Sequence, residues 1–300
     1  MEKQYVLHML TPEKNLSPFD VNMALDAGWV LAIPYTRVEV TEVRGMVQNA
    51  IHSRSAKGRK NTGIFIGGKN FKQTLDFLHI AETAMVPPFK VSVLADPSGA
   101  FTSAASIVVI IERKLQNVFN TRLQSKKMLI LEGTGPVAQT TAILAAKAGA
   151  DVTFVNSKPE QGQALAAICN KLLQPTGSRI NTASHNQLSE LIRRAEVILC
   201  ARTPVKQLLG TQSIAAAEAL KICVDFNIFP PIGIEGLHRH QDGEPVKGTI
   251  SGAIGIGALT IGNLKYKTQI LLLKQMIECT TPIILHYEHA YSTASGLTDS

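Results

Sequence analysis

A strand, a glycine turn and a helix in direct succession constrain this chain most. Residues 128–131 are all apolar, the segment GTGPVA (133–138) follows within two positions, and an alanine-rich stretch continues to 148. Gly133 permits a tight turn, and Ala138 lets the helix lie close to the sheet. A second apolar strand ends near 155, about twenty residues further on, as in the first half of a doubly wound parallel sheet.

The same turn predicts a site for the pyrophosphate of a nicotinamide dinucleotide. The unpaired N–H groups at a helix N-terminus attract phosphate, and a glycine lets the backbone approach it. A structural turn without a ligand is the alternative. The residues that we predict at the pyrophosphate are Gly133, Thr134, Gly135, Pro136 and Val137.

The end of the second strand indicates which dinucleotide is used. An acidic residue there would bind the ribose 2′-hydroxyl of NAD, but this chain has Asn156, Ser157 and Lys158. Neutral donors and a cation suit a 2′-phosphate, so the sequence predicts NADP, with NAD as the second choice. Lys158 as a merely solvated residue at a helix start is the alternative.

Short apolar runs alternate with amphipathic segments along the 300 residues. We predict strands at 5–10, 29–38, 64–67, 89–95, 128–131, 152–155, 197–200 and 222–226. We predict helices at 17–27, 42–53, 71–84, 102–120, 137–148, 160–172, 188–195, 214–220, 266–278 and 282–291. The pattern predicts an α/β fold: a Rossmann domain at 126–265, and a substrate domain at 1–125 completed by helices in 266–300.

Composition narrows the function classes. The net charge of +7 suggests an anionic partner, but the lysines and arginines are scattered, which favours a phosphorylated cofactor or an acidic substrate over nucleic acid. The four cysteines form no CxxC pair, and the pair His238 and His240 lies in a polar stretch, so no metal site or disulfide is predicted. With no signal peptide and no apolar run near the ~20 residues of a membrane span, the expected location is the cytoplasm.

Two further segments suggest ligand contacts. VDFNIFPPIGIEG (224–236) leaves a strand and places Asp225 and Asn227 at its carboxyl end, where ligands of parallel sheets bind. The glycine-rich run 252–262 suggests that backbone approaches a flat ring, with a flexible hinge as the alternative. From this edge of the sheet we add Ala201, Asp225, Asn227, Pro231, Ile256 and Gly257 to the predicted cofactor site.

Several of these segments together carry a family resemblance. LILEGTGPVAQTTAILAAKAGA, VDFNIFPPIGIEG and GALTIGNLKYK, with SPFDVNMALDAG and ADPSGAFTSAAS earlier in the chain, resemble the bacterial NAD(P)-dependent methylene-tetrahydromethanopterin dehydrogenases. The match runs in order through nearly the whole chain. This sequence departs from the family in a polar stretch at 238–247 and in the neutral pair Asn156 and Ser157.

The resemblance implies oxidation of methylene-tetrahydromethanopterin to the methenyl form, with hydride passing to NAD(P), in a cleft between two domains of a homo-oligomer, a trimer or a hexamer. It implies a catalytic-site role for Lys265 and places Asp20 near the pterin as a second catalytic residue. Lys265 is expected to orient the substrate and not to remove a proton, because hydride loss creates a cation. The implied substrate-binding residues are Asp20, Asp96, Ser98, Thr102 and Lys265.

Other functions remain open from the residues alone. Methylene-tetrahydrofolate is an alternative substrate, and a shikimate-dehydrogenase-like NADP oxidoreductase is an alternative enzyme. The latter needs a Lys and Asp proton relay at strand ends of the first domain, and we find no convincing one in the sequence. A non-catalytic NADP-binding sensor is the third alternative. Asp20 and Asp96 each have a structural reading as a helix cap or turn residue.

Overall fold

The computed structural model describes residues 4–174, 177–201, 207–228 and 232–297, and the predicted site residue Pro231 lies outside these ranges. The strands are β1 (Val6–Leu10), β2 (Leu31–Tyr35), β3 (Thr62–Ile66), β4 (Ser92–Ala95), β5 (Lys127–Leu131), β6 (Asp151–Asn156), β7 (Asn181–Ser184), β8 (Val197–Cys200), β9 (Ile222–Asp225), β10 (Asp242–Pro245), β11 (Ile254–Ile256) and β12 (Ile284–Leu285). The helices are α1 (Pro18–Asp26), α2 (Val43–His52), α3 (Ala56–Arg59), α4 (Phe71–Thr83), α5 (Ala100–Phe119), α6 (Pro136–Lys147), α7 (Pro159–Leu173), α8 (Leu188–Arg194), α9 (Thr211–Ala215), α10 (Ala258–Glu278) and α11 (Tyr287–Gly296).

The chain divides into two compact units. Unit 1 contains the residues up to Thr102 and those from Lys265 onward, and unit 2 runs from Ser103 to Leu264. We predicted a boundary at 125, after the long helix, but the division falls inside α5 and again inside α10. A sequence pattern marks helices and linkers, and it does not show that one helix belongs to both units.

Unit 1 is built on a five-stranded sheet in the order β12-β4-β3-β1-β2. Every pair in it is parallel. The central strand β3 is buried at all five positions, so its sequence shows no alternation of apolar and polar residues. Gly63 of β3 lies against α10, because a Cβ there would come within 2.9 Å of Met276 Cε. The indole N–H of Trp29 donates to the carbonyl of Leu273 on the same helix (3.3 Å).

Unit 2 is built on a seven-stranded sheet in the order β10-β11-β9-β8-β5-β6-β7. All pairs are parallel except β10 with β11. Without β10, the order is that of a six-stranded Rossmann sheet. In such a sheet the strands are added first on one side and then on the other side of the first strand, which here is β5. The predicted α/β class with a doubly wound parallel sheet is confirmed.

Four strands were not predicted, namely β7, β10, β11 and β12. β7 is polar and half exposed at the sheet edge, and β12 is only two residues long, so neither has an apolar signature. The polar stretch at 238–247 contains β10, an edge strand beside β11. The helix predicted at 214–220 is Thr211–Ala215, and the terminal helix predicted at 282–291 is instead β12 followed by Tyr287–Gly296.

Candidate functional site

The glycine turn of unit 2 has the geometry that a pyrophosphate needs. A Cβ on Gly133 would lie 2.5 Å from Ala138 Cβ, so this glycine is required for packing of the turn against α6. A Cβ on Gly135 would meet no atom within 4 Å, so the space beside it is open. Gly135 is the N-cap of α6 and supplies no side-chain hydrogen bond to the helix, and Pro136 occupies the first turn. The first N–H groups of a helix have no intrahelical partner, so the start of α6 combines unpaired donors with open space at Gly135, as a phosphate requires.

At the end of β6, the structure separates the three residues that the sequence analysis grouped together as a ribose site. Asn156 is only 1% exposed, and its amide lies against α7, where a Cβ on Gly162 would come within 2.9 Å of Asn156 Oδ1. Neither amide atom of Asn156 has a hydrogen-bond partner within the described residues. Ser157 and Lys158 are exposed, and Lys158 is the N-cap residue of α7. The exposed pair thus lies where a ribose would be recognised, whereas the Asn156 side chain lies beneath the helix.

Glu132, which the sequence analysis did not select, lies beside this position. Its Oε1 accepts a hydrogen bond from the backbone N–H of Ser157 (2.6 Å), and its Oε2 accepts one from the Ser157 hydroxyl (3.0 Å). His185 Nδ1 is 3.7 Å from Oε1. Glu132 belongs to the turn after β5, so an inspection confined to the end of the second strand misses it.

The loop after β9 is braced by Asp225. Its Oδ1 accepts hydrogen bonds from the backbone and side-chain nitrogens of Asn227 (2.9 and 2.5 Å), and its Oδ2 accepts one from the backbone N–H of Ile234 (3.0 Å). Burial raises the pKa of Asp225, and these hydrogen bonds oppose that rise. Asp225 and Asn227 are nearly inaccessible, so they shape the loop from inside. Ala201, half-buried after β8, lies near the glycine turn, 3.8 Å from where a Cβ on Gly133 would lie.

The glycine-rich run is close to the chain's own atoms. A Cβ on Gly255 would come within 2.8 Å of the Gln241 side chain, and one on Gly257 would overlap the backbone of His238 and Arg239. Ile256 is fully buried in β11. The glycines of this segment therefore let the polar stretch that contains β10 pack closely against them. This packing is a structural reason for glycine that the sequence did not reveal.

In unit 1 a cluster of charged groups surrounds Lys265. Lys265 lies in α10, one turn before Gln269, and its Nζ is 3.5 Å from the ring centroid of Phe19. Gly99 approaches it so closely that a Cβ there would lie 2.8 Å from both Cε and Nζ. Burial lowers the pKa of Lys265, and the negative charges of Asp96 and Asp20 oppose this decrease.

Asp20 is the second member of this cluster. It lies in α1, is 2% exposed, and its Oδ1 accepts a hydrogen bond from Gln269 Nε2 (3.2 Å). Burial, together with repulsion from Asp96, raises the pKa of Asp20 to about 7 against the opposing effects of Gln269 and Lys265. The Gln269 Oε1 is buried and has no hydrogen-bond partner among the described residues. Such an atom is costly unless a ligand or water satisfies it.

Asp96 is the third acidic or basic member of the cluster and lies four residues before the start of α5 at Ala100. It is fully buried, and its Oδ1 accepts the backbone N–H groups of Phe101 (2.8 Å) and Thr102 (3.4 Å), while Oδ2 accepts the Thr102 hydroxyl (2.7 Å). Burial raises the pKa of Asp96, and the charge of Lys265 opposes this rise. Ser98 has φ of 51°, and its hydroxyl donates to the Gly68 carbonyl (2.7 Å). The structure thus places Lys265, Asp20, Asp96 and Thr102 together, and Ser98 on the neighbouring loop surface.

Sequence reasoning missed Phe19, Gln269 and Gly99 in this cluster. Phe19 and Gly99 are in the motifs SPFD and DPSG that were already singled out, so their position beside Asp20 and Asp96 was the available signal. Gln269 is four residues after Lys265, which is the spacing that puts two side chains on one helix face.

A Rossmann sheet with an open glycine turn in one unit, and a cluster of one half-buried lysine and two buried aspartates in the other, define an NAD(P)-binding oxidoreductase of two α/β units. A family model for "Methylene-tetrahydromethanopterin dehydrogenase, N-terminal" matches residues 18–98. The NAD(P)-dependent methylenetetrahydromethanopterin dehydrogenase of Methylorubrum extorquens is 38% identical over 96% of this chain and 97% of its own length. The chain belongs to the NAD(P)-dependent methylenetetrahydromethanopterin dehydrogenase family, so the resemblance stated above is confirmed.

Two other comparisons give a more distant relative and a shared fold. The bifunctional protein MdtA of Methylorubrum extorquens is 28% identical over 87% of this chain and 88% of its own length. The ornithine carbamoyltransferase of Pyrococcus furiosus superposes with a TM-score of 0.54 over 93% of this chain and 86% of its own, at 12% identity. That likeness shows a shared fold and carries no information about activity.

No helix within the described residues is both long and apolar enough to cross a membrane. In the same residues no group of three or more His, Cys, Asp or Glu side chains is placed to hold a metal ion.

Proposed function

We propose that the chain transfers a hydride from methylene-tetrahydromethanopterin to NADP or NAD, which leaves the methenyl form. The observation that carries the proposal is 38% identity along almost the full length to an enzyme named for this reaction. The cluster of Lys265, Asp20 and Asp96 supports it, because Lys265 of the GALTIGNLKYK segment interacts electrostatically with two acids of the same unit.

The chemistry requires positioning more than acid or base catalysis. The methylene carbon lies between two nitrogens, so loss of a hydride leaves a cation that both lone pairs stabilise, and no proton has to leave. The nicotinamide, when bound, supplies the hydride acceptor. The protein's task is to hold the carbon in line and to exclude water.

The residues of unit 1 have distinct proposed roles. Lys265, held over the Phe19 ring, binds a carbonyl or acidic oxygen of the substrate. Asp20 accepts hydrogen bonds from the amino-pyrimidinone edge, whose neighbouring N–H donors match two carboxylate oxygens. Gln269 Oε1, buried without a partner in the described structure, offers a further acceptor beside Asp20. Asp96 and Thr102 were predicted to bind the substrate, but both are 0% exposed, so their proposed role is indirect: they anchor the start of α5 and keep a negative charge near Lys265.

The residues of unit 2 fit a dinucleotide. Gly133, Thr134, Gly135, Pro136 and Val137 would bind the pyrophosphate, with Ser157 and Lys158 at the ribose and Ala201, Asp225, Asn227, Ile256 and Gly257 shaping the loops beyond. The predicted preference for NADP over NAD rests on Lys158. The family resemblance favours a homo-oligomer, and the buried thiols of Cys169, Cys200 and Cys223 favour a reducing cytoplasm as its location.

A spectrophotometric assay tests the reaction. The pure protein is mixed with NADP or NAD and with methylene-tetrahydromethanopterin or methylene-tetrahydrofolate, and the absorbance of NAD(P)H and of the methenyl product is followed. We expect both signals to rise together with the methanopterin substrate. Turnover with the folate alone would correct the substrate, and no turnover with either pterin would contradict the proposal.

A further inference from the structure

Glu132 places a carboxylate at the end of β6, where a Rossmann domain recognises the adenosine ribose. The usual acid at this position belongs to the second strand, and this chain has none there. The carboxylate comes instead from the residue just before Gly133. Both of its oxygens contact Ser157: the backbone N–H at 2.6 Å and the hydroxyl at 3.0 Å.

The backbone holds Glu132 firmly in this orientation. Its φ of 49° lies in the left-handed region, which a residue other than glycine, asparagine or aspartate adopts rarely. Its own N–H donates to the Val155 carbonyl (2.9 Å), which ties the turn after β5 to β6. Glu132 as a whole is 8% exposed, and its side chain is 11% exposed. A carboxylate with so little freedom is a fixed charge.

We propose that Glu132 determines how the chain discriminates between the 2′-hydroxyl of NAD and the 2′-phosphate of NADP. This inference rests on the proposed dinucleotide site. A ribose hydroxyl can donate a hydrogen bond to a carboxylate, whereas a phosphate brings a second negative charge to it in a partly desolvated position. Glu132 therefore favours NAD and opposes NADP, and it explains how a chain without an acid on β6 keeps the ability to use NAD.

Lys158, which also lies near the end of β6, has the opposite effect on dinucleotide preference and favours NADP. It is exposed at the start of α7, so its ammonium can follow a phosphate but is screened by water and salt. His185, 3.7 Å from Glu132 Oε1, adds positive charge only when its imidazole is protonated. The preference between the two dinucleotides is accordingly a balance between a fixed carboxylate and a mobile cation.

Equilibrium binding of NAD and NADP to the whole protein tests the inference without any pterin. Titration calorimetry at one fixed pH and salt concentration gives the Kd of each dinucleotide for the wild type and for Glu132→Gln. We expect Glu132→Gln to lower the Kd of NADP about tenfold, which corresponds to about 1.4 kcal/mol. The Kd of NAD should stay the same or rise. Glu132→Asn, which suits the left-handed backbone, should shift the ratio in the same direction.

Glu160→Gln is the matched control, because it removes the same charge from the exposed first turn of α7. It should change the ratio of the two Kd values less than threefold. If both Glu132 variants change that ratio no more than Glu160→Gln does, the inference is wrong while the dinucleotide site stands. If the wild type binds neither dinucleotide, the proposed site itself fails, and the inference fails with it.

Discussion

At the scale of the residue, Lys265 is a cation with an aromatic ring and two acids around it and little contact with water. Replacing it by alanine should lower kcat about 100-fold, as loss of one pre-positioned donor does in other enzymes, because the substrate loses its anchor. The Kd of NADP should stay within twofold, since Lys265 belongs to unit 1. Steady-state kinetics and calorimetry measure the two quantities.

Lys267→Ala is the control for Lys265→Ala, because Lys267 is an exposed lysine of the same helix. Its kcat should remain near that of the wild type. An unchanged kcat in Lys265→Ala would remove Lys265 from the catalytic site. An equal loss in both variants would point to the helix and not to the cation.

Asp20 should make the stability of the protein depend on pH. Its pKa is about 7 in the folded chain against 3.8 for an unperturbed carboxyl, so the folded state keeps a proton that the unfolded state has already released. The stabilisation is complete below pH 4 and is lost as pH rises through 7. Between pH 4.5 and 8 the wild type should lose about 2 to 4 kcal/mol more free energy of unfolding than Asp20→Asn, at about 1.4 kcal/mol per pKa unit.

Urea unfolding at the two pH values measures this difference. Asp76→Asn, on the exposed face of α4, is the control and should follow the wild type. A parallel pH dependence in Asp20→Asn and the wild type would mean that Asp20 does not hold its proton near neutrality.

At the scale of the element, the two glycines of the turn before α6 have different tasks. Gly133→Ala should destabilise the fold by about 1 to 3 kcal/mol, because the new Cβ meets Ala138 and Ile130. Gly135→Ala should leave stability nearly unchanged but weaken NADP binding about tenfold or more, since its Cβ enters the open space that fits the pyrophosphate. Thermal unfolding and calorimetry separate the two effects, and equal stability losses would contradict this division.

The sequence was most informative where one element carries its own signal. The apolar run of β5 and the glycine turn were enough to predict the strand, the turn and α6 almost to the residue. β7 and β10 were missed because edge strands made of polar residues have no hydrophobic pattern, and pairing with a neighbour alone defines them. The helix at 258 was predicted to start at 266, since Gly257 just before it and Gly262 in its second turn belong to the glycine-rich run that suggested a loop.

Side-chain environments were less predictable than elements. Lys265, Asp20 and Asp96 were selected through motifs, and the structure brings them together. Gln269 had only its four-residue spacing from Lys265 as a signal, and Glu132 emerges only when the strands are packed. The orientation of Asn156 toward α7 likewise depends on the strand's register against the helix. The order of residues alone does not show which side chains at the end of a strand point toward solvent.

At the scale of the whole molecule, the two units share continuous helices. α5 begins in unit 1 and ends in unit 2, and α10 begins in unit 2 and ends in unit 1. If one unit melted alone, backbone hydrogen bonds on both sides of each boundary would fray, because helix formation is cooperative. We therefore expect a single calorimetric transition, although the chain has two cores.

NADP should move that single transition upward as a whole. A ligand at 100 times its Kd stabilises the folded state by about 2.7 kcal/mol, and with shared helices this stabilisation reaches unit 1 as well as unit 2. Differential scanning calorimetry with and without NADP measures it, and Gly135→Ala, which lacks the open turn, should show a smaller shift. Two peaks of which NADP raises only one would mean that the units unfold independently despite α5 and α10.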